Sequence, residues 1–213
     1  MKICILSNPR SGSKSLMALL QSVFWNLNYY SISEPFNYEH HSFIGSDTHD
    51  FYTRILKYEK VIIKTLTYQK PNNYETIEDW YKDLFNIFDK VIILDRKDKK
   101  KQAESYAFWK SKGYKEYGRW HIPSLYDLSN INENQFIETE NFLISQSNTL
   151  QSLSQLYNKP LYFYEDIFVE KNQEIINNIF HYIEMERDEY NINKYLISND
   201  LKVRQYQNIK KLI

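Results

Sequence analysis

Apolar positions along this chain fall into short runs separated by helix-spaced stripes. Runs of strand length occur at Ile3–Leu6, Tyr29–Ser33, Val61–Lys64, Val91–Leu94 and Leu161–Tyr164. The first is followed by Leu16, Leu19, Leu20, Val23, Phe24 and Leu27, the i, i+3, i+4, i+7 spacing that predicts a helix over Ser13–Asn28. Further helices are predicted over Ile77–Phe88, Lys99–Lys112, Glu133–Tyr157 and Gln173–Glu184. Short apolar strands alternating with helices predict an α/β fold with a central parallel sheet flanked by helices, a three-layer sandwich. A length of 213 residues suits one domain over the whole chain, 1–213. The stretches Asn37–Phe51 and Gly113–Asn132 break the pattern and read as long loops of the kind that cover binding sites.

The junction between the first strand and first helix carries the sharpest chemistry. Ser7-Asn-Pro-Arg-Ser-Gly-Ser-Lys-Ser-Leu16 places a glycine, two cations and several hydroxyls where a helix begins. Free N–H groups and the positive end of the helix dipole converge there, a P-loop-like strand–loop–helix arrangement suited to a phosphate or sulfate ester. An unliganded Gly/Ser turn is the plain alternative. The spelling is not G-x-x-x-x-G-K-[ST], because Ser13 separates Gly12 from Lys14 and no earlier glycine is present. An ordinary ATPase or GTPase is therefore disfavoured.

Composition narrows the choice of partner. Lys+Arg and Asp+Glu both number 27, so the net charge is zero, against the basic excess of a general nucleic-acid binder. Cys4, the single cysteine, lies in the first predicted strand and reads as a small core residue, with no disulfide framework. No charged leader precedes a long apolar stretch and no run approaches membrane-spanning length, which sets the expectation of a reducing, cytoplasmic location. No His/Cys/Asp/Glu set has metal-ligand spacing, and no metal is expected.

A second motif runs from Val91 to Ala107, V-I-I-L-D-R-K-D-K-K-K-Q-A-E-S-Y-A. Arg96 follows a strand and Ser105 lies nine residues on, in the next helix. Ligands of open α/β sheets bind outside the carboxyl ends of strands, so Arg10 and Arg96 are expected to face one crevice. Asp98 reads as an N-cap and Lys99, Lys100 and Lys101 as a solvated helix face.

Together these motifs resemble the sulfotransferase family, with the Q-A-x-S-Y spelling closest to the bacterial trehalose-sulfotransferase-like branch. P-R-S-G-S at 9–13 resembles the loop holding the 5′-phosphosulfate of 3′-phosphoadenosine 5′-phosphosulfate, and Arg96 with Ser105 resembles the clamp on its 3′-phosphate. Ser33-Glu34-Pro35-Phe36, Ile63-Lys64, Tyr164-Glu165-Asp166 and Lys202-Val-Arg204-Gln205 resemble further family landmarks, in order along the chain. The resemblance implies donor contacts from Arg10, Ser11, Gly12, Ser13, Lys14, Ser15, Arg96, Ser105, Arg204 and Gln205. Lys14 departs from the pattern, standing where the family usually has Thr or Ser.

Sulfuryl transfer needs a cradle for the sulfonate oxygens, a cation for the leaving group and a base for the acceptor. The N–H groups of residues 11–13 suit the first role, Arg10 the second and Glu34 the third. Glu34 could instead pair with Arg10 or Lys64, or cap the turn before Pro35, and His40, His41 and His49 compete as bases. Tyr164, Glu165 and Asp166 read as structural, and Trp109 and Trp120 as packing residues. The expected activity is in-line transfer to a hydroxyl of a sugar, lipid or small metabolite. A catalytically impaired nucleotide-binding module on the same scaffold and an atypical P-loop kinase are the alternatives. The acceptor and the oligomeric state are not encoded in these motifs.

Overall fold

The computed structural model describes residues 1–24, 27–37, 48–108, 110, 132–186 and 192–196. Five parallel strands form one sheet: β1 (Lys2–Ser7), β2 (Tyr30–Ser33), β3 (Val61–Leu66), β4 (Lys90–Asp95) and β5 (Leu161–Phe163), in the order β2-β3-β1-β4-β5. The helices are α1 (Ser13–Phe24), α2 (Thr48–Lys57), α3 (Ile77–Ile87), α4 (Lys99–Phe108), α5 (Glu133–Leu156) and α6 (Gln173–Tyr182), with a π-helical turn at Glu165–Val169. The α/β expectation stands. Among the described residues, no helix is long and apolar enough to cross a membrane.

The three central strands β3, β1 and β4 are largely apolar because successive side chains leave opposite faces of the sheet and both sets are buried, whereas the edge strands β2 and β5 are partly exposed. Ile3, Ile5, Ile62, Ile92 and Leu94 join one core cluster with Leu16, Leu19 and Leu20 of α1 and Ile176 and Ile179 of α6. Cys4, Leu6, Val61, Ile63, Val91 and Ile93 join the other, with Trp80 and Leu84 of α3 and Leu150 and Leu153 of α5. Cys4 is a core residue, and burial pushes its thiol pKa upward. Side-chain caps start four helices: Thr76 accepts from Asp79 N at 3.1 Å, Asp98 from Lys101 N at 2.9 Å, Asn132 from Asn134 N at 2.9 Å, and Asn172 from Glu174 N at 3.0 Å.

Two elements differ from the periodicity. β3 continues past Lys64 to Leu66, pairing Thr65 with Leu6 and Leu66 with Ser7. The charge and hydroxyl at 64 and 65 look like a strand end, yet both residues are buried. The stretch Asn37–Phe51, read as loop, contains the start of α2, whose polar first turn hides the core contacts made further on by Tyr52 and Ile55. Of the helix expected over Lys99–Lys112, α4 is described as far as Phe108, and residues 109, 111 and 112 lie outside the described residues. The loop expected at 113–131 lies outside the described residues.

β1 is the central strand. The chain leaves β1 toward β2 on one side and leaves β4 toward β5 on the other, so the connections diverge between β1 and β4. Ligands of open α/β sheets favour the crevice at such a point.

Leu20 is fully buried in α1, whereas Leu156 at the end of α5 is 74% exposed. Leu20→Ala is expected to lower unfolding free energy by about 2–5 kcal/mol. Leu156→Ala should stay within about 0.5 kcal/mol of the parent. Urea melts of the two variants check this, and equal losses would mean α1 is not packed as described.

Candidate functional site

The register brings the strand ends level, with Ser7 beside Leu66 and Leu94, and Ser33 beside Lys64. The residues that follow, 8–13 after β1, Glu34 after β2 and Arg96 after β4, therefore share one edge of the sheet. Asn8 is the pivot of the first loop. Its Nδ2 donates to Asp95 Oδ1 at 3.1 Å and its Oδ1 accepts from Thr67 Oγ1 at 3.3 Å. Asp95, fully buried, also accepts from Lys99 Nζ at 2.6 Å and from the Ser147 hydroxyl. Lys99 is thus drawn inward and is not part of the solvated face expected for 99–101; Lys100 and Lys101 are exposed.

From Asn8 the loop turns sharply. Arg10 has φ 59° and Gly12 has φ 81°. A left-handed conformation is costly for arginine and easy for glycine. α4 holds the turn in place: Gln102 Nε2 donates to Pro9 O at 2.7 Å, and Arg10 Nε donates to Ser105 Oγ at 2.8 Å. Arg96 Nη1 reaches Arg10 O at 3.4 Å. A β-carbon on Gly12 would lie 2.1 Å from Cδ2 of Tyr164, so this ring closes one side of the loop. α1 then begins, leaving its leading N–H groups without intrahelical carbonyls. Ser11 and Ser13 are buried beneath this turn and Lys14 is exposed. The buried Ser11 hydroxyl has no hydrogen-bond partner among the described residues.

Arg96 is set by its neighbours across the crevice. Its guanidinium lies 5.2 Å from the centre of the Tyr164 ring, and its Nε is 3.5 Å from Glu165 Oε1, too poorly placed for a hydrogen bond. Glu165 is otherwise committed to the approach of α4, accepting from Lys97 N at 2.8 Å and Asp98 N at 3.2 Å. Asp166 pairs with Lys97. The carboxylates after β5 therefore brace the segment that carries Arg96.

Glu34 lies beside the β1 loop in a network of its own. Its carboxylate pairs with Lys64 through Oε1, and Oε2 accepts from Asn37 Nδ2 at 3.1 Å and Gln69 Nε2 at 3.3 Å. Its backbone is left-handed too, at φ 54°, with its N–H donating to Lys64 O at 2.7 Å. Other non-glycine residues with positive φ, such as Asn158, Lys171 and Glu184, follow helical turns, where that conformation is ordinary. Arg10 and Glu34 follow strands. Burial pushes the Glu34 pKa up, but the charge and hydrogen bond of Lys64, the bond from Asn37 and the charge of Lys14 outweigh it and hold it at about 2. Burial is the largest influence on Lys64 and lowers its pKa despite Glu34. The asymmetry follows exposure, 4% for the Lys64 side chain against 21% for Glu34.

The structure therefore brings Arg10, Ser11, Gly12, Ser13, Lys14, Ser15, Arg96 and Ser105 together at the carboxyl edge of β1 and β4, with Glu34 alongside. Of the alternatives for Glu34, pairing with Lys64 is the one observed. Arg204, Gln205, His40, His41, Trp109 and Trp120 lie outside the described residues, and only the backbone of His49 is described, within α2. Asn8, Asp95 and Lys99 lie inside the two motifs without a site role assigned to them, and Gln69 lies outside both. The one local signal for them is polar residues lodged in or beside apolar runs. Among the described residues, no group of three or more His, Cys, Asp or Glu could hold a metal ion. In comparisons with known proteins, no family model matches the chain and no curated protein matches it.

Gly12→Ala combines a left-handed backbone with a collision against Tyr164. The backbone alone should cost about 1–3 kcal/mol, lowering the melting temperature by roughly 2–4 °C per kcal/mol. Adding Tyr164→Ala should return part of that loss, a non-additivity that a double-mutant cycle of melting curves reads. Strict additivity would mean the ring does not crowd the loop.

The Glu34–Lys64 pair also predicts a pH dependence. The folded pKa of Glu34 lies below its ordinary 4.5, so its stabilisation is complete above about pH 5 and is lost as pH falls through 4.5 toward 2. Its size is of order 2–3 kcal/mol. Glu34→Gln should lower stability at neutral pH and flatten its decline in that acid window, measured by urea melts at successive pH values. Parallel curves would remove the pair from the stability of the fold.

Proposed function

We propose that this chain is a sulfotransferase, moving a sulfuryl group from 3′-phosphoadenosine 5′-phosphosulfate to a hydroxyl of a sugar, lipid or small metabolite. In this reading the fold is a three-layer sandwich with a P-loop-like anion site. One observation carries it: Arg10, Arg96 and Ser105 converge at the carboxyl edge of β1 and β4 with a buried Ser11 hydroxyl that has no hydrogen-bond partner among the described residues. A buried polar group without a partner costs about 1–3 kcal/mol, and a ligand oxygen at the loop would relieve that cost. The residues fit an ester anion at the first turn of α1 and a second phosphate near Arg96.

When bound, the donor supplies a sulfuryl group whose sulfur bonds to the acceptor oxygen as its bond to the bridging oxygen breaks, the electron pair leaving with the nucleotide. The N–H groups of Gly12 and Ser13 take the charge on the sulfonate oxygens, that of Ser11 being engaged by Asn8 O at 3.4 Å. Arg10, permanently cationic, stabilises the leaving oxygen. Glu34, ionised at any working pH, accepts the acceptor proton. Its depressed pKa makes it a weak base, suited to a loose transition state in which the proton leaves late.

A second reading, a binding module without transfer, draws on the same depression and on Lys14 in place of a hydroxyl residue. The two share a donor site and differ in turnover. An atypical P-loop kinase would instead bind ATP with a divalent metal.

Adenosine 3′,5′-bisphosphate at a hundredfold excess over its dissociation constant should stabilise the protein by about 2.7 kcal/mol, or about 5–10 °C. The shift should disappear in Arg96→Ala, and 5′-AMP and Mg-ATP should fall short of it. Glu34→Gln should bind the bisphosphate and lose turnover. A shift with Mg-ATP alone would replace the proposal with the kinase.

A further inference from the structure

We propose that Gln69 is a positioning residue that fixes the Glu34 carboxylate so that Oε1 is the atom left to accept a proton, an inference that rests on reading Glu34 as the base. Gln69 follows β3 and is 4% exposed. Its own backbone N–H bonds to Leu66 O at 2.9 Å, folding the side chain back over the strand end. There its Oε1 accepts from Leu66 N at 3.1 Å and from Thr65 Oγ1 at 3.4 Å. A backbone N–H can only donate, so the amide oxygen must face it and the NH₂ must face Glu34. The orientation of the amide is dictated from both sides.

The count of lone pairs then selects the reactive atom. Oε2 of Glu34 receives Gln69 and Asn37, at 3.3 and 3.1 Å, which uses both of its acceptor positions. Oε1 receives Lys64 alone among the described contacts, leaving one position open. The groups that act electrostatically on the Glu34–Lys64 pair are Lys64 itself on β3, Lys14 in the first turn of α1 and Arg10 in the β1 loop, all cationic. Gln69 is a neutral donor tied to β3, so it can hold the carboxylate without adding charge. Its rigidity also supports the left-handed backbone of Glu34, a conformation that persists only where surrounding contacts determine it.

Two substitutions separate positioning from packing. Gln69→Glu preserves volume and sets a like charge against Oε2, while Gln69→Met preserves bulk and cannot donate. The Glu34 carboxyl carbon is followed by ¹³C NMR titration of the full chain, its resonance assigned by its loss in Glu34→Gln. Wild type should remain ionised down to about pH 3, and the midpoint should rise by about one unit or more in Gln69→Glu. Gln69→Met should show a smaller rise, and it carries the test if Gln69→Glu does not fold.

In parallel, turnover of 3′-phosphoadenosine 5′-phosphosulfate with water as acceptor gives a pH–rate profile. Its acid limb should move upward with the carboxyl midpoint, while the dissociation constant of adenosine 3′,5′-bisphosphate stays within about twofold. A midpoint unmoved in both variants overturns the inference, as does an acid limb that stays in place while the midpoint rises. Failure of the wild-type protein to bind the bisphosphate overturns the donor reading instead, and with it the catalytic meaning of the Gln69 contact.

Discussion

Asp95 carries a formal charge into a position with no solvent exposure, and the carboxyl edge of the sheet is arranged to keep that charge satisfied. Burying an ion costs several kcal/mol unless partners repay it. The partners are Lys99 from α4, Ser147 from α5 and Asn8 from the loop after β1, so three separate segments must meet at one carboxylate. Asn8 then passes the constraint to β3 through Thr67, whose backbone N–H bonds to Ser7 O at 3.0 Å and whose carbonyl receives the Tyr81 hydroxyl. The position of the 8–13 loop follows from this. It is pinned at Asn8 by Asp95 and again at Pro9 and Arg10 by Gln102 and Arg96, leaving its glycine turn between fixed points.

The second buried pair, Glu34 with Lys64, is built on the opposite logic. Asp95 is enclosed, whereas the Glu34 side chain keeps 21% of its surface open. A sealed carboxylate serves geometry; one with a partly open face can meet a ligand. The cations around Glu34 keep it ionised, at the expense of its strength as a base. That compromise suits a reaction in which charge builds mainly on the leaving group and little proton pull is needed at the acceptor.

The fold was largely legible because burial on both faces writes strands as apolar runs, and because each run is followed by a helix-spaced stripe. The turn from Arg10 to Ser15 was legible for a related reason: a strand-to-helix junction is a local arrangement, compressed into a few adjacent positions. Asp95, Lys99 and Gln69 were not. Asn8 and Asp95 are separated by 87 residues and Gln69 and Glu34 by 35, so their bonds leave no periodicity in the chain. Lys99 was misread because a lysine at a helix start usually faces water, and only the buried carboxylate one turn earlier draws it inward. Lys64 was placed at a strand end by its charge, although its pairing with Glu34 is what allows the strand to continue through it.

Lys14 is the point at which sequence pattern and geometry must be weighed against each other. Under the proposed sulfotransferase reading this position would usually carry Thr or Ser, and a lysine there would count against transfer. Here Ser11 and Ser13 are buried beneath the turn while Lys14 is exposed at the helix start. The substitution therefore alters the mouth of the crevice and leaves the hydroxyls under the loop in place. Its ammonium also contributes to lowering the Glu34 pKa, so it acts on the proton-accepting side of the proposed reaction as well as on the anion. A cation shared between the two sides pulls charge toward the transferred group and weakens the base by the same field. In the proposed reaction, the balance between those effects separates turnover from binding alone.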